Sequence, residues 1–331
     1  MLIVGKDKKK HIIFGNELLQ IIFATMKKEF TIDGSSDNIK LSCMVVEPDE
    51  GVQKKGVLVL VHGMCEHKER YIPLMEYLAA AGYVCVISDN RGHGRSVLRK
   101  EDLGYMYAGG WQAMVEDIAL VVKWTKKNYP GFGISLFGHS MGSMVVRSFT
   151  KRHDDMIERL IVCGCPSDNP AKGAGKALAK ISGLVCGWHS RPGLLQTMSF
   201  GAYNKPFKNE GYESAWVCSD RKILDAYHND PLCQFVFTAN GFYNLMGLMQ
   251  DCYDVRGWKL SRPDMPVHFI SGGQDPCRIS DKALSNAAES IRKVGYRNVD
   301  LKIYPEMRHE IHNETKAPQT VWKDILGMLE H

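Results

Sequence analysis

Residues 134–142 read ISLFGHSMG, an apolar run that closes on Gly-His-Ser-Met-Gly. The apolar part, ISLFG at 134–138, is short and follows the breakers Pro130 and Gly131, which marks it as a buried strand. Helical spacing begins near Ser140, so the chain has to pass from strand to helix inside the GxSxG pattern of residues 138–142. That turn needs small residues at Gly138 and Gly142 and lifts the Ser140 hydroxyl above the sheet. A lone GxSxG match is weak evidence. Its place between strand and helix makes Ser140 the candidate nucleophile.

Working outward, LSCMVV at 41–46 is strand-like, and VLVLVH at 57–62 is apolar and β-branched enough to be a central strand buried on both faces. A helix is expected over 71–81, stopped by Gly82, then a second buried strand, YVCVISD at 83–89. Trp111 to Tyr129 has helical period, and RLIVCG at 159–164 is the strand that follows the Ser140 helix. Past a gap, PVHFISG at 266–272 is again a strand, with a helix at 281–294, the strand VDLKIY at 299–304 and a last helix at 317–329. This alternation predicts an α/β fold: a mostly parallel central sheet with helices on both faces, joined by right-handed crossovers. Residues 166–255, rich in Gly, Met and aromatics but without clear strands, read as an inserted helical cap. The expected organisation is an N-terminal extension (1–27), a core (28–165 and 256–331) and that cap.

A serine hydroxyl is a poor nucleophile at neutral pH and needs a base, itself oriented by an acid. Asp275 lies on a Gly-rich loop just after the strand at 266–272, at the carboxyl end of the sheet where sites of open α/β folds lie. Asp264 precedes the same strand and falls at the wrong end. His309 follows the last strand by five residues and can reach the same edge. His312 is its close rival. Oxyanion donors would be the backbone N–H groups of Met141, after the nucleophile, and of Met64, after the strand ending at His62. No cofactor or metal is called for: HEIH at 309–312 lacks the spacing of HExxH, and KGAGKA at 172–177 is not a phosphate-binding loop. His139, His93 and Cys65 read as a pair of locally bonded histidines and an inert thiol. In the cap, Trp188, Met198, Phe200 and Phe237 are the candidate substrate-lining residues, among a wider set that includes Leu184, Leu194, Leu195, Phe235, Phe242, Leu245, Met246 and Met249.

The 331 residues are 44% hydrophobic and 24% charged, ordinary values for a globular chain. A net charge of +5 from scattered Lys and Arg is too little for a nucleic-acid footprint, so no nucleic-acid partner is expected. Ten cysteines without a disulfide-scaffold spacing fit a reducing, cytoplasmic setting. No stretch approaches the roughly 18 apolar residues of a membrane span. Lys6 and Lys8 to Lys10 precede an apolar run from Ile12 to Ala24, as in a signal peptide, but Asn16, Glu17 and Gln20 interrupt it. Residues 1–25 stay open between a leader, a surface helix and a start at Met26.

HGMCEHKERY at 62–71, DNRGHGRS at 89–96 and GHSMG together resemble the monoacylglycerol lipase and lysophospholipase branch of the α/β hydrolases, over about residue 28 to the end. The resemblance implies that the first motif supplies the oxyanion loop and the third the nucleophile. It also maps an HExxNE-like base motif onto His309, Glu310, Asn313 and Glu314, favouring His309 over His312. It implies hydrolysis of a small-molecule acyl ester through an acyl-enzyme but not which ester; the apolar cap residues point to monoacylglycerols, lysophospholipids or other medium-chain esters as substrates, compatible with transient contact with lipid surfaces. The cap offers no motif for substrate choice. An aminopeptidase of the proline-iminopeptidase type and a catalytically idle binding protein are the alternatives.

Overall fold

The computed structural model describes residues 26–330; the readings made for residues 1–25 lie outside them. In chain order the elements are β1 (Met26–Asp33), β2 (Lys40–Glu47), β3 (Gly56–Val61), α1 (Ile72–Ala80), β4 (Tyr83–Ser88), α2 (Gly110–Asn128), β5 (Ile134–His139), α3 (Met141–His153) and β6 (Arg159–Cys163). There follow α4 (Lys172–Cys186), α5 (Gly193–Phe200), α6 (Arg221–Asn229) and α7 (Ala239–Tyr253), then β7 (Val267–Gly272), α8 (Asp281–Val294), β8 (Val299–Tyr304) and α9 (Val321–Glu330).

The strands form one eight-stranded sheet in the order β1-β2-β4-β3-β5-β6-β7-β8. Only β2 runs antiparallel to its neighbours, and every pair from β4 through to β8 is parallel. A parallel sheet is covered on both faces, which is why β3, β4 and β5 carry an apolar residue at nearly every position and are buried throughout. Successive side chains point to opposite faces. Val57, Val59 and Val61 therefore join the buried cluster on the face covered by α2, α3 and α8, while Leu58 and Leu60 join the one on the face covered by α1 and α9.

Strand β1 was not legible in the sequence. MKKEFTID is exposed along most of its length and pairs with β2 at the sheet edge, where charged residues are tolerated and indeed discourage further pairing. The last helix starts at Val321, not near 317, because Pro318 sits in a run of turns over 315–320. The segment between β6 and β7 has four helices and, among the described residues, no strand. Within it α4 packs on α7, and Gly175 on α4 leaves only 3.5 Å between its would-be Cβ and the Met246 sulfur. No helix of the described residues is long and apolar enough to cross a membrane.

Leu60 is wholly buried in β3 between β4 and β5. Leu60→Ala is expected to cost about 2–5 kcal/mol of folding stability, read from the shift in the denaturant midpoint, because the packed sheet cannot collapse around the gap.

Candidate active site

The chain leaves β3 for β4 on one side and returns to β5 on the other, so strand order reverses between β3 and β5, where an open α/β sheet forms a crevice. The loops after β3, β5, β7 and β8 all open at this carboxyl edge. Ser140 lies in the turn from β5 to α3 with φ 55° and ψ −118°, a left-handed conformation that costs a non-glycine residue of order 1–3 kcal/mol. Surroundings hold it there. Its N–H donates to the Cys163 carbonyl at 2.9 Å, and its own carbonyl accepts from the N–H of Ser143 at 2.9 Å. A Cβ on Gly142 would stand 2.2 Å from the Val61 carbonyl oxygen, so only glycine lets α3 start this close to β3.

Asp275 and His309 are brought together from the loops after β7 and β8. The imidazole Nδ1–H donates to Asp275 Oδ2 at 2.9 Å, and Asp275 Oδ1 accepts the Cys277 N–H at 2.8 Å. A proton held at Nδ1 leaves Nε2 as the basic nitrogen. Burial alone would push His309 below its ordinary value, but the negative charge of Asp275 outweighs it, with Cys277 contributing, and the imidazole titrates well above 6.5. Cys277 Sγ lies 4.0 Å from Nε2, and burial pushes this thiol up to about 11. Ser140 and His309 line one cavity. Among the described residues no hydrogen bond from Ser140 Oγ is found, as is common before a substrate tightens such a site.

Met64 and Met141 line the same cavity. Among the described residues neither backbone N–H has an acceptor in the protein. The loop carrying Met64 is tied down by Glu66, a buried carboxylate that accepts from the Gly63 N–H, from Tyr71 Oη at 3.0 Å and from His139 Nδ1 at 3.0 Å. Burial would raise the Glu66 carboxyl, yet the bond to and charge of His139, helped by Arg70, hold it well below the carboxylate range. Arg70 in turn makes a two-pronged bond to Glu310 at 2.5 and 2.7 Å, next to His309. The turn close by Ser140 is tight: a Cβ on Gly63 would lie 3.0 Å from Ser140 Cβ.

The rival residues sit elsewhere. Asp264 is at the surface, paired with Arg297. His312 is fully buried and stacked 4.8 Å from Tyr71, with neither ring nitrogen bonded. His139 is bonded on both nitrogens, to Glu66 and to the His309 carbonyl. Cys65 is buried, its thiol facing the Phe235 carbonyl and pushed up by burial. Among the described residues three groups of side chains have metal-ligand atoms within 4.8 Å of one another inside the group: Glu66, His139 and His312; His67, Asp230 and Cys233; Asp275, Cys277 and His309. In each of them a histidine is already hydrogen-bonded to a carboxylate.

The cavity has a volume of about 570 Å³. Its apolar lining includes Met144, Phe200, Leu245, Met246 and Met249, and its polar lining includes Ser214, Tyr227 and His228. Of the four named lining candidates only Phe200 is there. The other three are corrected: Phe237 is wholly buried among Phe235, Phe242 and His93, Met198 is 63% exposed on α5, and the Trp188 ring packs on Gly183 and Tyr243. Leu184 and Leu194 likewise face outward, whereas Leu195 and Phe242 are core. Apolar character alone does not say which side of a helix faces a cavity.

A mostly parallel, doubly wound sheet with a left-handed serine at the strand-to-helix turn defines an α/β hydrolase. The chain belongs to the family Hydrolase_4, described as serine aminopeptidase S33, whose model matches residues 52–316. It is 32% identical to a monoglyceride lipase homolog of Monkeypox virus, over 87% of this chain and 94% of that one. Identity to the monoglyceride lipase of Mus musculus is 32% over 84% and 83%, and to a monoacylglycerol lipase of Mycolicibacterium smegmatis 29% over 78% and 83%. Among solved structures, a carboxyl esterase from Bacillus coagulans superposes with a TM-score of 0.83 at 23% identity, over 92% of this chain and 98% of that one, sharing the fold. The chain is a carboxylic ester hydrolase.

Three buried histidines set the acid limit of the fold. Burial, the largest influence on each, lowers His62 to about 4 and His93 to about 3, and places His312 well below its ordinary value. A group neutral in the fold but protonated when unfolded contributes stability above its unfolded value near 6.5, and that stability is lost as pH falls below it. The urea midpoint is therefore expected to drop between pH 7 and pH 5, and an unchanged midpoint would contradict the burial of these rings.

Proposed function

We propose that this protein hydrolyses monoacylglycerols and related medium-chain acyl esters through an acyl-enzyme on Ser140. The observation that carries the reading is the Asp275–His309 pair opening on the same cavity as a serine held in a left-handed turn. In the proposed reaction Ser140 Oγ attacks the ester carbonyl while His309 Nε2 takes its proton, and Asp275 steadies the imidazolium. The Met64 and Met141 N–H groups receive the oxyanion. His309 then gives its proton to the departing alcohol, and water, activated by the same imidazole, releases the acid.

The substrate class is supported by the lipase relatives and by the apolar wall of Met144, Phe200, Leu245, Met246 and Met249, long enough chains being accommodated by flexible thioethers. In this reading residues 166–255 form a cap over the core. Ile181, Leu184 and Val185 on α4 and Leu194 and Met198 on α5 are exposed, beside Lys172 and Lys180, a surface suited to transient contact with lipid. All ten cysteines are free, which favours a reducing, cytoplasmic setting.

Ser140→Ala is expected to lower hydrolysis of p-nitrophenyl butyrate and of a monoacylglycerol by several orders of magnitude with the fold retained. An unchanged rate would remove Ser140 from the mechanism, and preference for aminoacyl amides over acyl glycerols would favour the peptidase reading. Because only neutral imidazole can accept the proton, a raised His309 value means that kcat/KM climbs with pH through a midpoint above 6.5. A midpoint at or below 6.5 would contradict the influence assigned to Asp275.

A further inference from the structure

Arg308 stands one residue before His309 and is almost wholly buried, yet neither of its terminal Nη groups bonds to the core it springs from. Nη1 donates to the carbonyls of Ala215, at 2.7 Å, and Cys218, at 3.2 Å, and Nη2 donates to the Glu210 carboxylate. The guanidinium plane lies 4.2 Å over the Phe207 ring. Every one of these partners belongs to the insertion between β6 and β7. The backbone beside it runs in the same sense: the His309 N–H points at the Trp216 carbonyl at 3.4 Å and the Glu310 N–H donates to the Val217 carbonyl at 2.7 Å. Glu314 closes the strap from the other side, accepting from the Arg308 N–H at 3.0 Å and the Ser219 N–H at 3.1 Å.

Beside these bonds the Trp216 indole lies 5.0 Å from the His309 ring, tilted 44° to it. Trp216 is itself braced by Tyr203, 5.1 Å away, and by its N–H to Asn204 Oδ1 at 3.3 Å.

We propose that Arg308 is a positioning residue for the hydrolysis: by clamping residues 210–218 it fixes the Trp216 indole against His309, and so keeps the imidazole seated on Asp275 with Nε2 turned to the cavity. The proposal rests on reading His309 as the base. A planar fork is what the position requires, because two carbonyls and a carboxylate are bound at once from one side chain, a task a lysine ammonium on a flexible stem performs poorly.

The test uses the full chain and p-nitrophenyl butyrate. Arg308→Met keeps the length and most of the apolar volume and removes every donor. It is expected to lower kcat about 10- to 100-fold, the scale of a small misplacement of a reacting group, with little change in KM. The acid limb of the pH profile should also move down toward ordinary imidazole as the contact with Asp275 loosens. Arg308→Lys should recover part of both. A purely structural role would lower the melting temperature and leave kcat per folded molecule and the acid limb where they were, and that result overturns the proposal. Trp216→Leu provides an independent arm should Arg308→Met fail to fold: it must lower kcat and shift the limb in the same direction, and an unchanged profile is again fatal. If Arg308 acts through the indole, the double variant loses less than the sum of the two single losses, while full additivity counts against it. Fluorophosphonate labelling of the parent, mapped by mass spectrometry, separates the two levels. Label at Ser140 with unaltered Arg308 variants rejects Arg308 alone. Label at another residue rejects the underlying triad reading as well.

Discussion

The closeness of α3 to β3 is the constraint from which the geometry of this site unfolds. Because Gly142 leaves no room for a Cβ beside the Val61 carbonyl, the chain can double back at Ser140 only by adopting positive φ there, and the hydroxyl-bearing carbon is pushed up to the sheet rim. The strain is local, while what offsets it is spread out: the bond from Ser140 to β6, the packed Val145, Val146 and Phe149 of α3, and the parallel sheet below. A rigid scaffold of this kind lets one residue occupy an unfavourable conformation without the rest of the chain relaxing it away.

Charge plays a second, different part around that rim. Glu66 sits at the centre of a buried set that includes Gly63, Tyr71, His139 and Arg70, and Arg70 passes the connection on to Glu310. Loops 240 residues apart in the chain are thus locked to one another by ionic and polar bonds in a largely buried environment, where breaking one partner leaves an uncompensated charge. Apolar packing could not do the same, since it has no preferred direction.

Much of this was legible in the sequence. The core strands were readable because a parallel sheet buries both faces and so writes continuous apolar runs such as VLVLV and ISLF, and the loops after β7 and β8 follow directly from those runs. Strand β1 was not, since an edge strand carrying Lys27, Lys28 and Glu29 has no such signature. Helix α4 was hidden by Gly173, Gly175 and Gly183, which lower helix propensity even as Gly175 and Gly183 permit close packing. Met198 was misplaced because apolar character does not say which side of α5 faces the cavity, and Phe237 because it lies in the loop before α7, whose path no periodicity marks. The roles of Glu66 and Arg308 rest on partners 73 and 90 or more residues away, and no local pattern announces such pairings.

The backbone pairing of residues 309–310 with 216–217 has a consequence for how a bulky molecule gets in. A door hung on that side would carry the imidazole away with it each time it swung. Widening that leaves His309 seated has to come from some other part of the rim; Arg191, Gly193, Gln196 and Gln234 border a second pocket that shares Gln196, Gln234, Phe235 and Val236 with the main cavity, and there Arg191 is itself bonded to the Glu101 and Leu103 carbonyls.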